Sequence, residues 1–374
     1  MKILYSGGST LGSVSPLIAI HQQLNKKNNV ISNYKSLWLG TYKGPERKII
    51  EKENIKFKPI ISGKLRRYFD LRNILDLFKI KFGFWQAFFT ILKFKPNIIL
   101  SAGGFVSVPV VWAGWILRVP ILIHQQDVRQ GLANKLMSLF AKKITVALDT
   151  SLKNFSKKKT ALVGNPVRNE LIIMNYPPSP LKITTGLRRT GESGDKNLNK
   201  FKFKNNLPTI LVTGGGTGAS EINNLIWNNL NELIKFCNII HLTGKNKNNK
   251  FIESEQYKSF EFLGNEIADV LNISDIVISR AGLSSLTELA YLKKPIIIIP
   301  IPNSHQEDNA EYFKNKNACI YLKQKELTSI KLVQEVKNLL NNKNKQKELS
   351  KNINKIFVDY SGEKIVSEII KLTN

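Results

Sequence analysis

Cysteine is nearly absent from this chain. Its 374 residues include two, Cys237 and Cys319, far apart in sequence. Such a pair supplies neither a disulfide framework nor a metal-ligand cluster, and both thiols read as small buried apolar groups in a reducing compartment. Long hydrophobic runs are missing too. No stretch reaches the ~20 apolar residues that span a bilayer. The longest candidate, Phe82–Leu92 (FGFWQAFFTIL), is closely flanked by lysines. The opening residues, MKILYSGGST, lack the apolar core and cleavage site of a signal peptide. These shortages point to a cytoplasmic chain with peripheral membrane contact at most.

Acid is also scarce. Asp and Glu total 28 against 56 Lys and Arg, a formal net charge of +28. Lys supplies 46 of the cations and Arg 10, beside abundant Asn and Ile. That mixture resembles AT-rich codon bias, so part of the charge is a solvated surface. The rest still attracts phosphates or anionic headgroups through its field. No zinc-finger, RNP or helix-turn-helix signature accompanies it, so a nucleic-acid partner is not expected.

What is present is alternation. Short apolar runs at Lys2–Tyr5, Leu37–Gly40, Ile55–Pro59, Asn97–Ser101, Pro120–His124 and Ile144–Val146 lie between helical patterns. The plan restarts at Pro208–Thr213 and continues through Asn238–Leu242, Phe260–Leu263, Ile276–Ile278 and Pro295–Ile299. Such spacing predicts α/β architecture with two doubly wound parallel sheets. Between the halves, Tyr176–Asn206 is rich in Pro, Gly, Lys and Asn, with no apolar period. The expected organisation is an N-terminal domain over 1–170, a linker or insertion over 171–207, a C-terminal domain over 208–350, and a helix over 351–374 that packs back on the first domain. Two such domains are expected to face each other across a cleft, with ligands at the carboxyl ends of the strands.

Glycine turns follow strands in both halves. Gly7–Pro16 reads GGSTLGSVSP and Gly214–Ala219 reads GGGTGA. Each permits close approach of an anion or sugar, the plainer alternative being a tight turn. Arg280–Glu288 reads RAGLSSLTE. Ser284 and Ser285 would sit at a helix N-terminus suited to a diphosphate, and Glu288 one turn on could accept ribose hydroxyls. The alternative is a capping box of Ser285 with Glu288. His305, Gln306, Asp308 and Asn309 form a polar cluster suited to sugar hydroxyls, or a hydrophilic cap on a helix. SAGGFVSVP (101–109) and HQQDVRQGLAN (124–134) follow strands of the first half. There Asp127 and His124 are candidate general bases, although His124 also fits a strand-end histidine bonded to backbone. Arg168, in GNPVR, could meet a phosphate or simply lie on the surface. Within Lys64–Lys95, Phe78, Phe82, Trp85, Phe88 and Phe89 alternate with basic residues, which fits an interfacial membrane face as well as a core helix edged by lysine stems.

Taken in order, GGSTLGSVSP, SAGGFVSVP, HQQDVRQGLAN, GNPVR, GGGTGA, HLTGK, RAGLSSLTE and HQEDNA resemble the MurG family of peptidoglycan glycosyltransferases over almost the whole chain outside 176–206. The resemblance implies a GT-B fold and an inverting transfer of N-acetylglucosamine from its UDP donor to undecaprenyl-pyrophosphoryl-MurNAc-pentapeptide, at the cytoplasmic face of the cell membrane and its anionic inner leaflet. It implies no metal and no cofactor. It assigns Glu288 to the ribose, Ser284 and Ser285 to the diphosphate, and the backbone of Leu263 to uracil. It assigns Gln306 and Asn309 to the donor sugar, and Arg168, Gly216 and Thr217 to the nucleotide side. Asn134, Gly104 and the loop of Gly7, Gly8, Gly12 and Ser13 would face the acceptor.

Three departures stand out. Ser13 occupies the place of a histidine that the family usually carries before Val-x-Pro. Gln125 and Asp127 exchange acid and amide relative to His-Glu-Gln-Asn. Gly216 replaces a serine. The base is therefore expected to be Asp127, with Ser13 orienting the hydroxyl. A diacylglycerol glycosyltransferase, or a catalytically weakened homologue that binds UDP-sugar or lipid, remains as an alternative.

Overall fold

The central strands of both sheets are apolar along both faces. Ile98–Ser101 (IILS) and Ile276–Ser279 (IVIS) are buried at every position. Strands of that kind belong inside parallel sheets covered by helices on both sides. The computed structural model describes residues 1–26, 34–64, 72–169, 171–172, 200–215, 218–247, 254–264, 266–357 and 361–373. Gly216, Thr217, most of the expected linker and the stretch 65–71 lie outside the described residues.

Met1–Asn169 and Phe357–Asn374 form one unit, and Glu170–Ile356 a second. In unit 1 the strands are β1 (Lys2–Ser6), β2 (Lys35–Gly40), β3 (Lys56–Pro59), β4 (Ile98–Ser101), β5 (Ile121–Gln125), β6 (Lys143–Val146) and β7 (Thr160–Leu162). They form a parallel sheet in the order β3-β2-β1-β4-β5-β6-β7. The order reverses between β1 and β4, which makes their carboxyl ends the switch point where open α/β sheets take ligands. The helices are α1 (Ser15–Leu24), α2 (Glu46–Lys52), α3 (Arg72–Phe94), α4 (Ser107–Ile116) and α5 (Leu132–Ser138).

In unit 2, β8 (Thr209–Thr213), β9 (Asn238–Leu242), β10 (Tyr257–Phe260), β11 (Ile276–Ser279), β12 (Ile296–Ile298) and β13 (Ile320–Tyr321) run in the order β10-β9-β8-β11-β12-β13. Here the switch point lies between β8 and β11. The helices are α6 (Ser220–Asn228), α7 (Leu230–Leu233), α8 (Ile267–Ile273), α9 (Leu283–Tyr291), α10 (His305–Asn315), α11 (Ser329–Asn341) and α12 (Lys343–Asn354). The last helix, α13 (Ser361–Thr373), returns to unit 1. Its Ile365, Val366 and Ile369 share a buried cluster with Leu17, Ile20 and Leu24 of α1. Lys143 pairs with Glu368 at 2.8 Å on the same helix.

Several boundaries differ from the sequence reading. The strand expected at Phe260–Leu263 lies at Tyr257–Phe260, because YKSF pairs in register with Ile239–Leu242. The helix expected through Phe236 breaks at Asn229, whose Nδ2 donates to the Leu225 carbonyl (2.6 Å) and to Ser329 Oγ (3.2 Å). At the described end of 171–207, Phe201 is fully buried against Phe260.

Candidate active site

In unit 1 three loops meet at the strand ends. The Gly7 carbonyl accepts from Trp38 Nε1 at 2.8 Å. Gly8 N–H donates to Ser13 Oγ at 3.2 Å, and that hydroxyl reaches back to the Gly8 carbonyl at 3.2 Å. Ser13 thus closes its own loop and is buried. Gly104, at φ +91°, stands so near that a Cβ there would lie 3.0 Å from the Gly8 carbonyl oxygen. A side chain at Gly104 would be strained and would part the two loops. Gln126 Nε2 donates to the Gly12 carbonyl at 2.6 Å, tying in the loop after β5. Gln125 Nε2 donates to the Asp127 carbonyl (2.7 Å), and Asn134 Nδ2 donates to Gln125 Oε1 (2.6 Å). Asp127 itself is half-buried in that loop.

His124 departs from the expectation of a base. It is sealed at the end of β5, with Nδ1 3.0 Å from Thr145 Oγ1 and Nε2 2.9 Å from Asn165 Oδ1. Burial pulls its pKa down to about 4, opposed by the Asn165 hydrogen bond. Both ring nitrogens are engaged, so neither is open to a substrate proton. The bonds go to side chains, not to the backbone. Arg168 is half-buried beyond β7, in the segment opened by Gly164 at φ +82°.

In unit 2 the loop after β8 turns on Gly215 and Gly218, at φ +81° and +69°. A Cβ on Gly218 would fall 2.1 Å from the Thr243 carbonyl oxygen, so the loop is pressed against the end of β9. Helix α6 then starts at Ser220 with no side-chain cap. Helix α9 likewise starts at Leu283 after Gly282, again with no side-chain cap. The capping-box alternative for Ser285 and Glu288 therefore does not hold. Ser284 and Ser285 sit in the first turn and Glu288 one turn on, all half-buried while Leu286, Leu289 and Ala290 face the core. The N-terminal N–H groups and dipole of such a helix favour an anion.

The polar cluster of α10 braces this edge. Ser304 caps the helix by accepting from Gln306 N–H. Gln306 Oε1 accepts from Ala281 N–H (3.2 Å) and Ile301 N–H (3.3 Å). Asn309, expected at the donor sugar, is fully buried and donates to the Ala281 carbonyl at 3.0 Å. Its amide holds the loop after β11 and offers no exposed surface. Leu263 is buried in the loop after β10. His241 of HLTGK is also interior, between Asn223 Oδ1 (3.0 Å) and Tyr257 OH (2.9 Å).

Helix α3 carries the aromatic stretch. Phe78, Phe82, Trp85 and Phe89 are exposed, the outermost being Phe82 at 62% and Phe89 at 63%. Phe88 instead packs partly buried on the core. Trp85 and Phe89 stack at 6.0 Å, among exposed Lys79, Lys81 and Lys93. Trp115 and Ile116 at the end of α4, and Leu139 after α5, are also exposed, which the sequence reading missed. No described helix is long and apolar enough to cross a membrane.

Comparison with known proteins matches residues 3–146 to the glycosyltransferase family 28 N-terminal domain and residues 209–364 to the C-terminal domain of that family. The chain belongs to glycosyltransferase family 28. Among relatives in this family, the UDP-N-acetylglucosamine--N-acetylmuramyl-(pentapeptide) pyrophosphoryl-undecaprenol N-acetylglucosamine transferase 2 of Bacillus cereus is 37% identical over 375 residues, covering 99% of this chain and 98% of the relative. The corresponding transferase of Clostridium kluyveri is 38% identical over 343 residues, 90% of this chain and 91% of its own. The crystal structure of Acinetobacter baumannii MurG superposes with a TM-score of 0.71 at 22% identity, covering 99% of both chains. A UDP-GlcNAc 2-epimerase from Neisseria meningitidis superposes equally well, at 0.71 and 13% identity, so this likeness speaks for the fold alone. The two Rossmann-like parallel sheets are those of the GT-B fold.

Proposed function

We propose that this family 28 member is an inverting transferase that moves N-acetylglucosamine from UDP-N-acetylglucosamine to the 4-hydroxyl of the muramoyl sugar of undecaprenyl-pyrophosphoryl-MurNAc-pentapeptide. The observation that carries this reading is the end-to-end similarity, 37% over 99% of the chain, to a relative bearing that name. The glycine-rich loops at the switch point of each sheet support it.

On this reading unit 2 takes the donor. The uncapped start of α9, with Ser284 and Ser285, receives the diphosphate, and Glu288 accepts the ribose hydroxyls. The backbone at Leu263 meets uracil, Gln306 turns its amide to the sugar, and Asn309 supports it from inside. Gly216 and Thr217 complete the nucleotide side. Unit 1 takes the acceptor at the Gly7–Ser13 loop, Gly104 and Asn134. The sugar hydroxyl attacks the anomeric carbon, its proton passes to Asp127, and UDP departs with its charge spread over helix N-termini. The exposed aromatics of α3 enter the anionic inner leaflet of the membrane, with the neighbouring lysines at the headgroups.

The test is transfer of labelled N-acetylglucosamine from its UDP donor to a soluble-chain analogue of the muramoyl lipid, in EDTA. Product is expected. Tight UDP binding without product, or transfer to diacylglycerol instead, would overturn the reading.

A further inference from the structure

Arg280 is the first residue after β11, and only 5% of it is exposed. One terminal nitrogen, Nη1, donates to the carbonyls of Ile299 and Pro300 (both 3.0 Å) and to Gln324 Oε1 (2.6 Å). The other, Nη2, lies 3.6 Å from Glu221 Oε2, on a side chain 62% exposed in the first turn of α6. Its Nε is buried with no hydrogen-bond partner among the described residues. The guanidinium therefore sits where the loops after β8, β11 and β12 converge.

A brace between carbonyls does not need a charge. A neutral amide would serve, as Asn309 does for the Ala281 carbonyl. A buried cation is costly unless its charge is matched. Among the described residues the only carboxylate paired with it is Glu221, which water screens. Burial accordingly pulls the Arg280 pKa down, with Glu221 opposing, yet a guanidinium keeps its proton at neutral pH. Two uncapped helix starts, α6 and α9, add positive potential to the same edge.

We propose that Arg280 is a positioning and charge-compensating residue for the donor diphosphate, and that it makes this edge select a nucleoside diphosphate over the bare nucleoside. The proposal rests on the assignment of unit 2 to the donor. Arg280 need not touch the phosphates. Its field reaches them through the loops it ties, and it matters most as the anomeric C–O bond breaks and a further negative charge builds on the leaving UDP.

Calorimetric titration of the full chain with UDP and with uridine separates this role from a purely mechanical one. R280M should bind UDP at least about tenfold more weakly, with uridine affinity held within about twofold. R280K, which keeps the charge, should restore most of the UDP affinity. Equal losses for UDP and uridine, or no loss, would overturn the proposal. Should R280M fail to fold, E221Q remains, because that side chain is exposed. Removing the screening carboxylate should tighten UDP several-fold and leave uridine unchanged, and an unchanged UDP affinity would overturn the proposal. A wild-type chain that binds neither ligand would overturn the donor assignment itself, and this inference with it. A wild-type chain that binds both equally would overturn this inference alone.

Discussion

At the carboxyl edge of unit 1, the loops after β1, β4 and β5 are tied by neutral groups: the Ser13 hydroxyl, the Gln125 and Gln126 amides, Asn134 and the buried His124. At the same edge of unit 2, the loops after β8, β11 and β12 are tied by amides and by a buried guanidinium, Arg280. The two sheets share a strand plan and a switch point, but they present different potentials. Helices α1, α4 and α5 of unit 1 also start without side-chain caps, but the buried charge beside its Gly8 loop is a carboxylate, Glu46, and not a cation. An edge whose buried charge is a guanidinium beside its helix starts is suited to an anion. On the proposed assignment, one strand plan would serve an alcohol in unit 1 and a diphosphate in unit 2, by changing the groups that hold the loops.

The largest expected effect would come from the side that lacks a histidine at position 13. If Asp127 takes the acceptor proton, Asp127→Asn should lower kcat by ~10²–10⁴-fold with donor KM little changed. Near-normal turnover would remove Asp127 as the base and leave the unit 1 edge purely a binding surface. On the unit 2 side, Glu288→Gln should raise the KM for the UDP donor by roughly tenfold or more, with a smaller effect on kcat. A hydrogen bond to a charged acceptor is worth ~1.5–3 kcal/mol. An unchanged donor KM would take Glu288 off the ribose.

The helical shells differ as well. Unit 1 exposes Phe82, Trp85 and Phe89 on α3, whereas α11 and α12 of unit 2 bury their apolar stripe of Leu332, Val336, Leu339 and Leu349. Replacing those three aromatics by serine should weaken sedimentation with anionic vesicles about tenfold or more, since burying a Phe is worth up to ~1.5–3 kcal/mol. Turnover of a soluble-chain acceptor should persist. Equal vesicle binding by the triple variant would separate α3 from the membrane.

A further effect concerns pH. His21 and His124 in unit 1 have pKa values pulled down by burial to about 4, and His241 in unit 2 to about 3. In the unfolded chain each returns to about 6.5. Between those values the unfolded state binds protons that the native state refuses, so stability is full above about pH 6.5 and falls as the medium is acidified towards 4. Tm should decline over that window. A Tm that stays flat from pH 7 to 5 would contradict this.

Local pattern carried much of this architecture. Apolar runs located the central strands, because a strand covered on both faces cannot hide its composition, whereas the run at Phe260–Leu263 missed the strand at Tyr257–Phe260 by three residues. The short edge strands β7 and β13 escaped notice. TAL and IY are too brief, and too partly buried, to stand out. The glycine turns were legible because only glycine fits where Gly104 and Gly218 sit. The identity of helix caps was not. Ser285 and Glu288 match a capping box by spacing, yet the helix begins two residues earlier, at Leu283.

By itself, then, the sequence determined the order of elements, the doubling of the strand–turn–helix plan and the family, since these rest on residue type and spacing along the chain. Tertiary structure decided which members of each motif face outward. His124, Asn309 and Phe88 share their segments with candidate site residues, and they turn inward because the neighbouring strand or helix covers them. Arg280 gained its partners in the same way. Glu221, Ile299 and Gln324 are distant in sequence, and only the order β8-β11-β12-β13 brings their loops to one edge. Strand adjacency is a long-range choice made by packing, and no local period encodes it.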